Sequence, residues 1–512
     1  MIRMTVRTGV WTGTRRVITL LVAVSAMWTH AASAQERESI PGVSLGLVYE
    51  NEPQPALAIQ PFTGRFGGAG LASQVQDIIG RDLRNSDRFV VIDSLPRGLV
   101  GDVIDYTLWD RLGAVWLITG QVEGAGEGYV LILELHDVIY RRTVERGRFR
   151  IPDGADDDFR MAVHRASDEA VRWATGDPGM AASRIAFTLT DIDYNTDIYL
   201  IDSDGENLHR VTNFRDITLS PAWSPDGSKI AYMSYKETGF PRIYEFTLAT
   251  REERMLPEVR GTGDYITPTY SPDGSTLAFS VLGSGRSGVF TYNVERDCCL
   301  TYLSGGQWYD LSPTYSPDGD WMAFNTNRFG DRVPQIMVMP ADGGEAQTLS
   351  PYEYGGRGYY TSPDWSPDGN LVAFHGAIRR GTYHILVADM ETDGRRLRQL
   401  TWEGNNEDPS WAPDARHLVF AGERRWGFGL FVVDIATGRL RPILAGRRVG
   451  VPDWSPSLPP VRWPSVSRAS SCCWCSASSM PVKARYATFS RSASASASRR
   501  RPGRPAASIV SG

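Results

Sequence analysis

A seven-residue signature recurs along the second half of the chain and limits its fold more than any other feature. It reads Pro221-Ala-Trp223-Ser-Pro-Asp-Gly227, Pro268-Thr-Tyr270-Ser-Pro-Asp-Gly274, Pro313-Thr-Tyr315-Ser-Pro-Asp-Gly319 and Pro363-Asp-Trp365-Ser-Pro-Asp-Gly369. Pro409-Ser-Trp411-Ala-Pro-Asp414 and Pro452-Asp-Trp454-Ser-Pro456 are degraded copies. The six aromatics stand 43 to 50 residues apart. Ser-Pro-Asp-Gly is turn chemistry: proline presets φ at the second position and glycine accepts the positive φ that closes a hairpin. A short apolar strand follows each turn, as in Thr276-Leu-Ala-Phe279 and Leu371-Val-Ala-Phe374. A period of this length with strands inside it is the mark of a β-propeller with WD40-like repeats.

A second apolar strand recurs six times, starting at Ile198, Ile243, Val289, Ile336, Ile385 and Leu430. The first of these precedes the first aromatic anchor, and the last anchor follows the last of them. The ring therefore closes by pairing the strand around 451–454 with the strands near 184–190 and 198–202. One blade is built from both ends of the repeat region, which leaves no open sheet edge. Six anchors and six strands predict six blades over 183–458.

Residues 56–176 carry a different pattern. Ala56-Leu-Ala-Ile-Gln-Pro-Phe62 and Phe89-Val-Val-Ile-Asp93 read as strands, as do 114–122 and 129–138. Leu71, Val75, Ile78, Ile79 and Leu83 fall at helical spacing, and so do Phe159, Val163, Ala166, Ala170 and Ala174. The fold class is thus mainly β: a six-bladed propeller preceded by a small α/β domain. At the N-terminus, a twelve-residue apolar run at 17–28 follows four arginines and precedes Ala32-Ser-Ala34. That is a secretory signal over 1–34, cleaved after Ala34, and its apolar run is too short to span a bilayer. Residues 35–55 are expected to be a flexible segment. Residues 459–512 hold nine basic residues, no acidic ones and a Ser-Ala repeat, and read as a disordered or out-of-frame tail. Between the two basic ends, 41 basic residues face 59 acidic ones, a net −18. So acidic a body excludes nucleic acid as partner, because that affinity comes from Lys and Arg on phosphate. No direct membrane insertion is predicted.

The signal, the α/β domain and the six blades together resemble the TolB family, the periplasmic component of the Tol–Pal system. Asp82-Leu-Arg-Asn-Ser86 with Phe89, Leu400-Thr-Trp-Glu-Gly404, and Pro452-Asp-Trp-Ser-Pro456 with Leu458 carry the likeness, which covers 41–458. The resemblance implies a periplasmic, non-enzymatic adaptor. It implies that the propeller mouth meets a Pal-like peptidoglycan-associated lipoprotein, and the N-terminal segment a TolA-like inner-membrane protein.

The residues just before each anchor border the entrance of the central channel. Asp264, Thr267, Asp310, Thr361, Glu407 and Asp408 are the candidate partner-binding residues, with the acids expected to be exposed. No catalytic set, cofactor site or metal site is predicted. HExxH and GxSxG do not occur. The stretch Gly64-Arg-Phe-Gly-Gly-Ala-Gly70 lacks the lysine and hydroxyl of a phosphate loop and reads as a connecting turn. Asp191, Asp193, Asn195, Asp197 and Asp202 fit a calcium-loop count, but Thr196 stands where glycine is needed, so an acidic hairpin is expected. Adjacent Cys298 and Cys299 are not expected to form a relaxed disulfide. A secreted propeller hydrolase or lyase and a small-ligand sensor are the alternative functions.

Overall fold

Each Ser-Pro-Asp-Gly turn carries its own clasp. In the first, the N–H of Gly227 donates to the Ser224 carbonyl at 2.9 Å and that of Lys229 to Ser224 Oγ at 2.9 Å, while Ser228 N–H reaches Asp226 Oδ1 at 3.0 Å. Gly227 sits at φ 68°, and a Cβ there would come within 2.5 Å of Leu458 Cδ2. Glycine therefore answers both a left-handed backbone and a close approach. The serine clasp repeats at Ser271, Ser316 and Ser366. The degraded fifth copy puts Ala415 at φ 53° in place of glycine.

The computed structural model describes residues 44–45, 54–93, 103–126, 128–257, 263–283, 286–304, 306–330, 333–351, 358–377, 381–392 and 396–459. The strands on either side of each turn pair antiparallel and open a four-stranded blade. In the first, Thr218–Trp223, Lys229–Ser234, Arg242–Thr247 and Glu253–Met255 follow in order. The innermost strands of the next blades are Asp264–Tyr270, Asp310–Tyr315, Tyr359–Trp365 and Asn406–Trp411. The ring closes as the phase of the repeats requires. Val449–Trp454 pairs with Arg184–Thr190, with Val449 opposite Leu189 and Trp454 opposite Ile185. Trp454 Nε1 donates to Ser183 Oγ at 2.7 Å, and the N–H of Leu458 donates to the Ala182 carbonyl at 2.7 Å. The anchors fill the seams between blades. Trp223 packs with Ile198, Ile230, Tyr232 and Leu458, and Trp411 with Ala373, Ile385, Leu418 and Phe431.

The α/β domain is a sheet in the order Val90–Ile92, Ala56–Ile59, Trp116–Gly124, Tyr129–Asp137 and Arg142–Ile151, with Thr63–Arg65 beside Trp116–Gly124. Helices Ala69–Asn85 and Phe159–Thr175 pack their apolar stripes on it. The strand Arg142–Ile151 escapes a sequence reading. It is an edge strand with most side chains in solvent, so it carries four arginines in place of an apolar run.

One expectation changes. Ser44–Leu45, inside the segment expected to be flexible, pairs in parallel with Arg396–Leu397 and adds a fifth strand to the fourth blade. Cys298 and Cys299 are bonded to each other. Cys299 takes φ 68° in a strand whose register shifts against its neighbour, and this left-handed turn lets adjacent side chains meet. The secretory signal and all of the tail except Pro459 lie outside the described residues. Among the described residues no helix is long and apolar enough to cross a membrane.

Two buried ionic clusters join the α/β domain to the propeller. In one, His417 stands between Asp414 Oδ2 at 2.7 Å and Asp87 Oδ2 at 3.2 Å, and Arg439 Nη1 donates to Asp87 Oδ1 at 2.7 Å. Burial opposes charge on this imidazole, but the carboxylates of Asp414 and then Asp87 outweigh it and push it up to about 9. In the other, His164 Nδ1 meets Asp82 Oδ2 at 2.8 Å, and Arg81 Nη1 donates to Asp204 Oδ2 at 3.2 Å.

Candidate functional site

The innermost strand of every blade breaks at one place. Ser220, Thr267, Ser312, Ser362, Asp408 and Val451 each precede the anchor proline, and each sits at φ between 45° and 53°. The pairing register shifts at all six points. None of the six is glycine, so each bulge carries strain of roughly 1–3 kcal/mol that the surrounding ring must sustain. The bulges re-aim the residues before them, which are those the sequence placed at the mouth.

Side chains on the second strands tie these bulges across the seams. Ser280 Oγ accepts from Thr267 Oγ1 at 2.9 Å and from the N–H of Ser312, in the next blade, at 3.1 Å. His375 repeats the arrangement one seam on: Nε2 pairs with Thr361 Oγ1 at 2.8 Å, and Nδ1 accepts from the N–H of Asp408 at 3.1 Å. With Nδ1 accepting, the proton sits on Nε2 and the ring is neutral. Burial lowers its pKa, and the nearby Asp408 carboxylate only partly restores it. His375 thus brings Thr361 and Asp408 together. Sequence reasoning passed over it because a single histidine in an apolar strand has no spacing signal.

The other candidates separate. Asp264 is partly exposed, with Arg242 Nη1 at 3.9 Å. Glu407 is half-buried, and burial, then the charges of Asp408 and Glu423, raise its pKa above the usual carboxylate range. Asp310 corrects the expectation of exposure. It is buried and accepts from Arg328 Nη2 at 3.0 Å, because its position starts the strand inside the blade seam.

An aromatic rim surrounds this polar ring. Tyr194 (72% exposed), Phe240, Trp308, Trp402 (60%) and Trp426 (53%) all lie on loops at the mouth end of their blades. Their sequence signal was available: large aromatics in turn-rich stretches between strands, where no packing repeat calls for them.

Deeper in the channel wall stand Asp364 and Asp453, the variable residues of two Pro-x-Trp copies where the other copies have Ala, Thr, Thr and Ser. Trp411 N–H donates to Asp364 Oδ2 at 2.7 Å, and Trp223 N–H to Asp453 Oδ2 at 2.6 Å. Both line a cavity of about 390 Å³ at the turn end of the channel. Burial pushes Asp364 up to about 6, and burial together with the charge of Asp364 pushes Asp453 up to about 8.

Among the described residues two trios could bring three ligand atoms together for a metal, Asp82–His164–Asp204 and Asp87–His417–Asp434. Arginines already occupy them: Arg81 and Arg160 pair with Asp204, and Arg416 and Arg439 with Asp434 and Asp87. In the acidic hairpin, Asp191 Oδ1 accepts from the N–H groups of Asp193 and Asn195 at 2.8 and 2.9 Å. A Cβ on Gly68 would lie 2.2 Å from the Val122 carbonyl, so that glycine serves close packing of a connecting turn.

The fold and this mouth define a class: a six-bladed β-propeller carrying an N-terminal α/β domain. Residues 171–458 match the model of the TolB beta propeller domain, and residues 46–144 that of the TolB amino-terminal domain. The chain belongs to the TolB family. It is 31% identical over 252 residues to a Tol-Pal system protein TolB of Polaromonas naphthalenivorans, covering 48% of this chain and 55% of that protein. It is 33% identical over 269 residues to one of Anaeromyxobacter dehalogenans, covering 51% and 58%. The chain spans about half the length of these curated relatives. The crystal structure of TolB from Acinetobacter baumannii superposes with a TM-score of 0.67 at 25% identity, covering 79% of this chain and 97% of that one.

Proposed function

We propose that this protein is a non-enzymatic adaptor of the Tol–Pal system in the periplasm, and that its propeller mouth binds a Pal-like peptidoglycan-associated lipoprotein. In this reading it supports outer-membrane integrity and cell division, and residues 35–55 meet a TolA-like inner-membrane protein. The observation that carries it is the exposed aromatic rim over a polar mouth whose bulges Ser280 and His375 tie across the seams. Large aromatics are enriched at protein-binding surfaces and supply many of their strongest contacts. The mouth's histidine favours an adaptor over a hydrolase, since both its nitrogens are engaged in holding adjacent blades.

The test is association kinetics with the purified lipoprotein. Charges open to solvent at a mouth act mainly on encounter, so reversing the partly exposed pair, Asp264→Lys with Glu407→Lys, should slow association and change its salt dependence. Trp402→Ala or Trp426→Ala should instead speed dissociation, because the loss of a large aromatic contact acts mainly on the off-rate. Unchanged rates in all three, with melting curves intact, would move the partner site off the mouth.

A further inference from the structure

At the end of the propeller opposite the mouth, the seam between the third and fourth blades opens into a groove of about 450 Å³. That volume lies within the range of small-ligand sites. Val338, Leu349, Trp365 and Met390 line it with apolar surface, while Gln347 and Thr348 offer an amide and a hydroxyl. Trp321 stands at its edge, 43% exposed. The other blades have Lys229, Thr276, Leu371, His417 and, in the closing blade, Arg184 at this place, so nothing in the repeat calls for an indole. The turn carboxylates Asp318 and Asp368 complete the lining.

Charge decides what such a groove accepts. Asp318 takes hydrogen bonds from Ser316 Oγ and from the N–H of Asp320, which hold it below the usual carboxylate range and therefore ionised at neutral pH. Asp368 takes them from Ser366, from the N–H of Asn370 and, at 2.7 Å, from Asn370 Nδ2. Among the described residues that line the groove there is no lysine or arginine. An anion would meet two carboxylates with no counter-charge.

We propose that this groove is a second binding site, for a cation on an aliphatic stem: a primary ammonium or guanidinium. The stem lies along the apolar floor, as lysine stems do on apolar surfaces. The head sits against the Trp321 face within reach of the two carboxylates. The ligand's source is either a basic side chain on a polypeptide or a free diamine. The inference stands apart from the mouth, since the two surfaces share no residue.

The test uses the full chain and ligand-detected saturation-transfer NMR. The probes are the blocked tripeptide acetyl-Gly-Lys-Gly-amide, its norleucine counterpart, and cadaverine. The lysine peptide, cadaverine or both should bind saturably, and which of them binds identifies the source. The norleucine peptide should bind about fivefold more weakly, the worth of one cation–aromatic contact. Trp321→Thr, which borrows the residue of the second blade, and Gln347→Lys, which places a rival cation at the rim, should each weaken binding by a similar factor without moving the melting midpoint. Norleucine binding equal to lysine, equal binding by both variants, or no saturable binding of either cation would overturn the proposal.

Discussion

Trp365 is the clearest residue on which the packing of the ring can be measured. It is nearly buried, packs against Val372, Phe374 and Leu386, and donates its Nε1 hydrogen to the Gly369 carbonyl at 3.1 Å. Trp365→Ala empties that site and should cost about 3–5 kcal/mol in denaturant melts. The same loss is expected for Trp223→Ala, which opens the seam next to the closing blade. Asp453 makes a finer distinction. Asp453→Asn keeps an acceptor for the Trp223 N–H and, since the carboxyl is pushed up to about 8, removes little charge at pH 7. It should change stability by less than about 1 kcal/mol, whereas Asp453→Ala orphans that N–H and should cost about 1–3 kcal/mol.

The closing strand decides whether six blades make a ring. Val449–Trp454 supplies the innermost strand of the last blade, and among the described residues Leu458 is the last in an apolar seam. Removing residues 460–512 should leave the cooperative melt where it is. Removing 449–459 as well exposes the edge of Arg184–Thr190 and empties the Trp454 site, so the shortened chain should lose its cooperative transition and aggregate. Equal behaviour of the two truncations in thermal melts would contradict the closure. The strands that sequence missed at this scale were short or polar. Arg142–Ile151 has an almost wholly exposed face, and Ser44–Leu45 is only two residues long, so neither leaves a side-chain pattern to read.

Across the whole molecule, the seam between the α/β domain and the propeller should respond to pH. The folded pKa of His417, about 9, is above the unfolded value of about 6.5. The stability it contributes is therefore fully present below about pH 6.5 and lost as pH rises through 9. His417→Gln leaves the buried Asp414 carboxylate without its cation and should destabilise by about 3 kcal/mol at pH 6. The gap between the variant and the parent should narrow steadily toward pH 9.5 in paired melting curves. A gap independent of pH would show that the histidine works by shape and not by charge.

What could be read without coordinates were features that repeat or alternate. The turn motif and its period specified the propeller, the blade count and the phase of closure, because local turn chemistry and strand alternation act within a few residues. The resemblance to TolB followed from the same stretches. Tertiary structure alone decided which residues face one another. It joined His375 to Asp408 across a seam, set Asp87 against His417 from 330 positions away, buried Asp310 and gathered the aromatics of separate loops onto one rim. Each of these depends on how six sheets are angled around one axis. That angle is set by the fit of apolar seams over the entire ring, and no short window of sequence contains it.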